Sequence, residues 1–126
     1  MALGKTVSAV LLDNKTAAAN ASTTVGDCTT ITTDAYVGLD VTLKLTFNAA
    51  ATLGAILKAY GSDTDGADYD TAAKPYWQEA ISWVTGAQIL HFDFPSGPKY
   101  MKFLLTNLDL AQSITAIYIY ATPQNA

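Results

Sequence analysis

The residues able to do chemistry in this chain are few, and four of the eleven acidic ones stand together. The stretch "SDTDGADYDT", residues 62–71, sets Asp63, Asp65, Asp68 and Asp70 around Gly66. Carboxylates at this density could cage a hard cation. A calcium loop of the EF-hand type needs oxygen ligands at positions 1, 3 and 5, a glycine at 6 and a bidentate Glu at 12. Counted from Asp63, position 5 is Ala67, Gly66 falls at position 4 and position 12 is Lys74, so that pattern fails. Asp63, Asp65, Asp68 and Asp70 stay calcium candidates only as a looser oxygen cage; the competing and simpler reading is an Asp-Gly turn joining two strands. His91 and Asp93 form a His-x-Asp pair that a strand would place on one face. A triad would also need a nucleophile elbow such as G-x-S-x-G, and a metal centre would need further His ligands; neither is present. Glu79 is the one glutamate, and a glycosidase pair would require Asp93 or Asp70 to face it across a cleft. Cys28 is the one cysteine, which rules out an intrachain disulfide and a multi-cysteine metal site and leaves it as a small apolar residue in a β-branched run. No glycine-rich phosphate loop occurs. The expectation is a chain with no catalytic residues, no cofactor and no enzymatic activity.

The bulk composition narrows the partners. Half of the 126 residues are hydrophobic and 14% are charged, so the polar surface must come from Thr, Ser, Asn and backbone more than from ion pairs. Every cationic side chain is Lys, which removes bidentate guanidinium grips on phosphate, and the net charge is -4. Nucleic acid is therefore not an expected partner. The apolar runs are far shorter than the roughly 20 residues that span a bilayer, and "MALGKTVSAVLLDNK" reads as a strand interrupted by Asp13. No membrane association is expected, and one domain over residues 1–126 is.

The elements that must carry these residues follow a period of two. "LDVTLKLTF" alternates Leu39, Val41, Leu43, Leu45 and Phe47 with Asp40, Thr42, Lys44 and Thr46, the pattern of a strand with one face in a core. "GAILKAYGS" reads as its neighbour, with Ile56, Lys58 and Tyr60 on one face. "YWQEAIS" and "QILHFDF" flank "WVTGA", where Gly86 suits a hairpin, and "PSGP" at 95–98 reads as a turn. "KYMKFLLTN" places Met101, Phe103 and Leu105 opposite Tyr100, Lys102 and Leu104. "SITAIYIYA" places Ile114, Ala116, Tyr118 and Tyr120 opposite Thr115, Ile117 and Ile119. "KTVSAVLLD" and "CTTITTD" add β-branched runs at the front, and no window of useful length keeps a helical period. The fold predicted is an all-β, antiparallel two-sheet sandwich of about eight strands, jelly-roll-like, with an immunoglobulin-like Greek key as the alternative.

Aromatic placement then suggests surfaces. With Ile117 and Ile119 in the core, Tyr118 and Tyr120 point outward; with Tyr60 and Tyr100 they are the interface candidates. Tyr69, Tyr76, Trp77 and Trp83 could instead form a platform for sugar rings, which makes a glycan a conceivable partner and a carbohydrate-binding module the alternative function. Alternation puts Tyr76 and Trp77 on opposite faces, and Trp77 equally fits as a plug between sheets.

The strings "ILKAYGSDTDGADYD", "PYWQEAI" and "GPKYMKFLLTNLDLAQSITAIYIYATP" carry a resemblance. Gly61, Ser62, Asp65, Gly66, Tyr69 and Asp70, then Lys99, Tyr100 and Lys102, then Asn107, Asp109, Gln112, Ser113, Ile114 and Thr115 are similar to a pattern of small β-sandwich virion proteins of tailed bacteriophages. The resemblance covers roughly residues 39–122. It implies a non-enzymatic structural role in the virion, as capsid decoration or as a tail or fibre accessory. Homo-oligomers and contacts with other virion subunits would follow, with the acidic stretch a turn of the fold.

Overall fold

The computed structural model describes residues 4–5, 9–32, 38–62, 75–94 and 99–125. Among these run nine strands: β1 (Gly4–Lys5), β2 (Ala9–Ala17), β3 (Ile31–Thr32), β4 (Gly38–Phe47), β5 (Ala55–Ser62), β6 (Trp77–Ile81), β7 (Gly86–Phe94), β8 (Tyr100–Asn107) and β9 (Ile114–Asn125). One 3-10 turn, Val25–Asp27, is the only helical element among the described residues. The first sheet has the order β1-β9-β4-β7, with β2 also pairing β9; the second has the order β3-β8-β5-β6. Since β1 and β2 lie along successive parts of the same side of β9, they form one interrupted edge, and eight strand positions result.

The pairing has a simple logic. β2 pairs β9, β3 pairs β8, β4 pairs β7 and β5 pairs β6, all antiparallel, as in one long hairpin folded at the link between β5 and β6. Wrapping that hairpin brings β4 against β9 and β5 against β8, which completes the two antiparallel sheets of a sandwich. The acidic stretch belongs to the link at the fold of the hairpin; Asp63, Asp65, Asp68, Asp70 and Tyr69 lie outside the described residues, as does the 95–98 turn.

Two sequence expectations about connections need correction. β4 and β5 are not hydrogen-bonded neighbours: the 48–54 link carries the chain from one sheet to the other. Likewise β6 and β7 do not form a hairpin but sit in different sheets. Gly86 does adopt positive φ, 90°, yet it serves a crossover and not a tight turn. Local turn chemistry is the same in both cases; only the pairing of the flanking strands tells them apart.

The core is built from the alternating residues. Leu39, Val41, Leu43, Leu45 and Phe47 of β4 are all buried, facing Leu57, Met101, Phe103 and Leu105 of the second sheet within one apolar cluster. Burying each such side chain contributes about 1.5–3 kcal/mol. In β9 the expected alternation slips. Lys44 pairs Tyr118 while Thr46 pairs Thr115, so Ala116 and Ile117 of β9 stand opposite the single Leu45 of β4, and Ala116 takes φ 50°. This bulge turns Ile114 into the core beside Ile117 and Ile119, where strict alternation had placed it outside with Tyr118 and Tyr120. A similar irregularity in β2 leaves both Leu11 and Leu12 buried.

Candidate functional site

Cross-strand register lays out the outer face of the first sheet, because directly paired residues share a face. One row holds Thr122, Asp40 and Asp93; the next holds Val10, Tyr120, Thr42 and His91; the third holds Tyr118, Lys44 and Ile89. Tyr118 and Tyr120 stack with ring centroids 6.0 Å apart and planes 2° from parallel, and the Lys44 ammonium sits 5.3 Å from the Tyr120 centroid. The ammonium over the ring face is an attractive cation-π arrangement that fixes Tyr120 in an outward pose. Val10 and Ile89 are exposed on either side. The face is thus divided: one part apolar and aromatic, the other an open depression lined by Asp40, Thr42, His91, Asp93 and Thr122.

That depression gathers the His91 and Asp93 expected on one strand face. Its chemistry is limited. His91 Nδ1 and Thr42 Oγ1 share a hydrogen bond of 3.1 Å. A hydroxyl-imidazole contact resembles two parts of an acyl-transfer site, but strand N–H groups lie in the plane of the sheet and point at neighbouring strands, so none is aimed at an oxyanion above this face. Glu79 belongs to β6 in the other sheet and so cannot face Asp93, which points outward from the first. Among the described residues no group of three or more His, Cys, Asp or Glu side chains could hold a metal ion. Nor, among them, is any helix long and apolar enough to cross a membrane.

The aromatic candidates separate. Trp77 packs edge-on against Phe92 and Phe94 at 5.4 and 4.8 Å, and Phe94 continues to Phe103 at 5.6 Å, so Trp77 closes the space between the sheets. Trp83 packs against the core and donates its indole N–H to the Asn48 carbonyl at 3.1 Å. Tyr76 is exposed. These three do not form one flat platform. Tyr100 stands on the outer face of the second sheet with Lys99 5.5 Å from its ring centre. Tyr60, paired with Lys102 on that face, is only 2% exposed. As an interface candidate it is therefore corrected: its ring has no surface to offer, and burial pushes its hydroxyl pKa up.

Sequence reasoning gave Asn107 and Asp109 a place in the resemblance but no structural role, and both are heavily hydrogen-bonded. Asp109, in the link after β8, is 4% exposed. Its Oδ2 accepts the N–H groups of Thr52 and Leu53 at 2.7 and 3.2 Å, and its Oδ1 those of Ala111 and Gln112 at 2.9 and 2.8 Å. Asn107 donates to the carbonyls of Ala17, Ala18 and Gln112 and accepts from Asp109 N–H. The two residues tie three links together at one end of the sandwich, and around them Leu53, Leu108 and Leu110 remain exposed. Asn and Asp two apart after a strand is the sequence signal for such a side-chain-to-backbone turn. Cys28 is equally structural: its buried Sγ accepts Phe103 N–H at 3.3 Å, and desolvation raises its pKa, which disfavours the reactive thiolate.

No family model and no curated protein matches this chain. Among solved structures it is similar to the SPBc2 prophage-derived protein YomS, at 12% identity and a TM-score of 0.50, over 99% of this chain and 96% of that one. It also aligns with a chain from Bacillus endospore appendages, described as a family of disulfide-linked pili, at 10% identity and a TM-score of 0.45, over 99% and 88% of the two chains. At such identities what the prophage-derived protein shares with this chain is the fold, an all-β two-sheet sandwich.

Proposed function

We propose that this chain is a non-enzymatic structural subunit of a tailed-phage virion, a capsid-decoration or tail or fibre accessory protein that acts by packing against copies of itself and neighbouring subunits. The observation that carries the reading is the apolar part of the outer face of the first sheet. Val10, Tyr118, Tyr120 and Ile89 stand outward around Lys44, beside the row that carries Asp40 and Asp93, with the tyrosines already ordered by stacking and by Lys44. Preordered tyrosines lose little side-chain freedom on binding, which favours their use at interfaces. Tyr100 on the opposite sheet is a second candidate contact. The prophage origin of a protein with the same fold agrees with placement in a virion.

The test is association with particles. A tagged copy, expressed while phage particles assemble, is expected to co-sediment with heads or tails and to be visible on them by gold labelling in the electron microscope. Tyr118→Ser with Tyr120→Ser is expected to reduce that association at least tenfold while the melting temperature stays near wild type. Particles without label at every stage would overturn the proposal.

A further inference from the structure

The four edges of the two sheets differ in how they are treated. The β2 edge is broken by register shifts, and its Leu11 carbonyl accepts the Thr29 N–H at 2.7 Å. The β8 edge is covered by the segment from Ala21 to Thr32: Asn107 N–H meets the Ala21 carbonyl, Thr23 Oγ1 accepts Leu105 N–H, Cys28 Sγ accepts Phe103 N–H, and β3 pairs the rest. β6 is five residues long and carries Glu79 opposite buried Leu57, which sets an exposed carboxylate at the sheet margin on the side of the strand that faces the core. Interruption, cover and an inward charge are the usual ways of keeping an edge from pairing with another chain.

β7 has none of them. Its nine residues run in unbroken register from Leu39↔Phe94 to Phe47↔Gly86, without bulge, proline or lysine, and among the described residues it pairs with β4 alone. Ile89 on it is 61% exposed. We propose that the open edge of β7 is the seam along which two copies of this chain join, antiparallel, so that their first sheets become one continuous sheet.

The strand is complementary to itself. Turned about Leu90, it would place Ile89 beside His91 of the second copy, Ala87 beside Asp93, Gln88 beside Phe92, and Leu90 beside Leu90. No two acidic side chains meet. Leu90 and Phe92, only partly buried at the margin of a single sandwich, gain apolar neighbours, and the edge N–H and C=O groups that meet no other described strand are paired across the seam. A two-fold seam closes the assembly at two copies, because each edge is used up by the other.

This inference rests on the assembly reading above, and its test is separable from it. Light scattering on the full chain is expected to show a dimer. Ile89→Lys with His91→Lys, both at exposed positions, sets lysines opposite one another across the seam and is expected to give a monomer with an unchanged melt. Ile89→Glu with His91→Glu is expected to do the same, and mixing the two variants is expected to restore a dimer. Amide exchange on the wild type provides a readout free of any variant: protection that rises with protein concentration over residues 86–94. A wild-type monomer at every concentration, charged variants that dimerise like wild type, or no concentration dependence over β7 would each overturn the seam while leaving particle association to stand or fall by its own assay.

Discussion

Asp109 shows how one side chain can hold an end of a sandwich together. Its carboxyl is held well below the ordinary carboxylate range, first by the Thr52 N–H and then by that of Ala111, with Gln112 and Leu53 adding to the effect against the opposing influence of burial. An unfolded aspartate titrates at about 3.9. The folded value is lower, so the stability from this group is fully present above about pH 4 and is lost as pH falls toward the folded value. Thermal melts taken at successively lower pH are expected to show an acid limb that Asp109→Asn flattens. At neutral pH the same substitution is expected to lower the melting temperature by several degrees, because its amide presents N–H to donors. Gly54, in the same knot, leaves no room for any other residue: a Cβ there would run into the Ile81 carbonyl oxygen.

The strands carry predictions that strict alternation would miss. Ile114→Ala is expected to cost about 2–5 kcal/mol, the range for a buried aliphatic truncation, although a simple period of two puts Ile114 outside. Chemical denaturation against Thr115→Ala, expected within about 0.5 kcal/mol of wild type, checks where the bulge lies. Trp77 is half-buried between the sheets, and Trp77→Ala is expected to cost about 2–3 kcal/mol, less than the roughly 3–5 of a fully buried aromatic. That loss would appear with no glycan present, which distinguishes a plug between sheets from a sugar platform.

For the chain as a unit, the expectation about the acidic stretch is a null result. Addition of millimolar calcium is expected to leave the melting transition of the full chain where it was; a rise would revive the loose cage of Asp63, Asp65, Asp68 and Asp70, since a ligand bound only by the folded state raises its stability. On the proposed assembly reading, the low-charge composition favours contact between the outer sheet face and other chains.

The strand β4 was legible residue by residue, because burial on one face forces a period of two that no local effect obscures. The all-β class and the strand count follow from the same rule repeated. Which strands pair was not legible: 48–54 and 82–85 look like hairpin links, yet both switch sheets, since pairing depends on contacts between residues far apart in sequence. The outer face escaped for the same reason. Tyr118 and Tyr120 could be assigned outward from their own strand, but Lys44, Val10 and Ile89 come from three others, and their meeting there is a product of register across the sheet. Tyr60 fell to the opposite error, since alternation gives the side of a sheet on which a residue stands and not whether that side is covered.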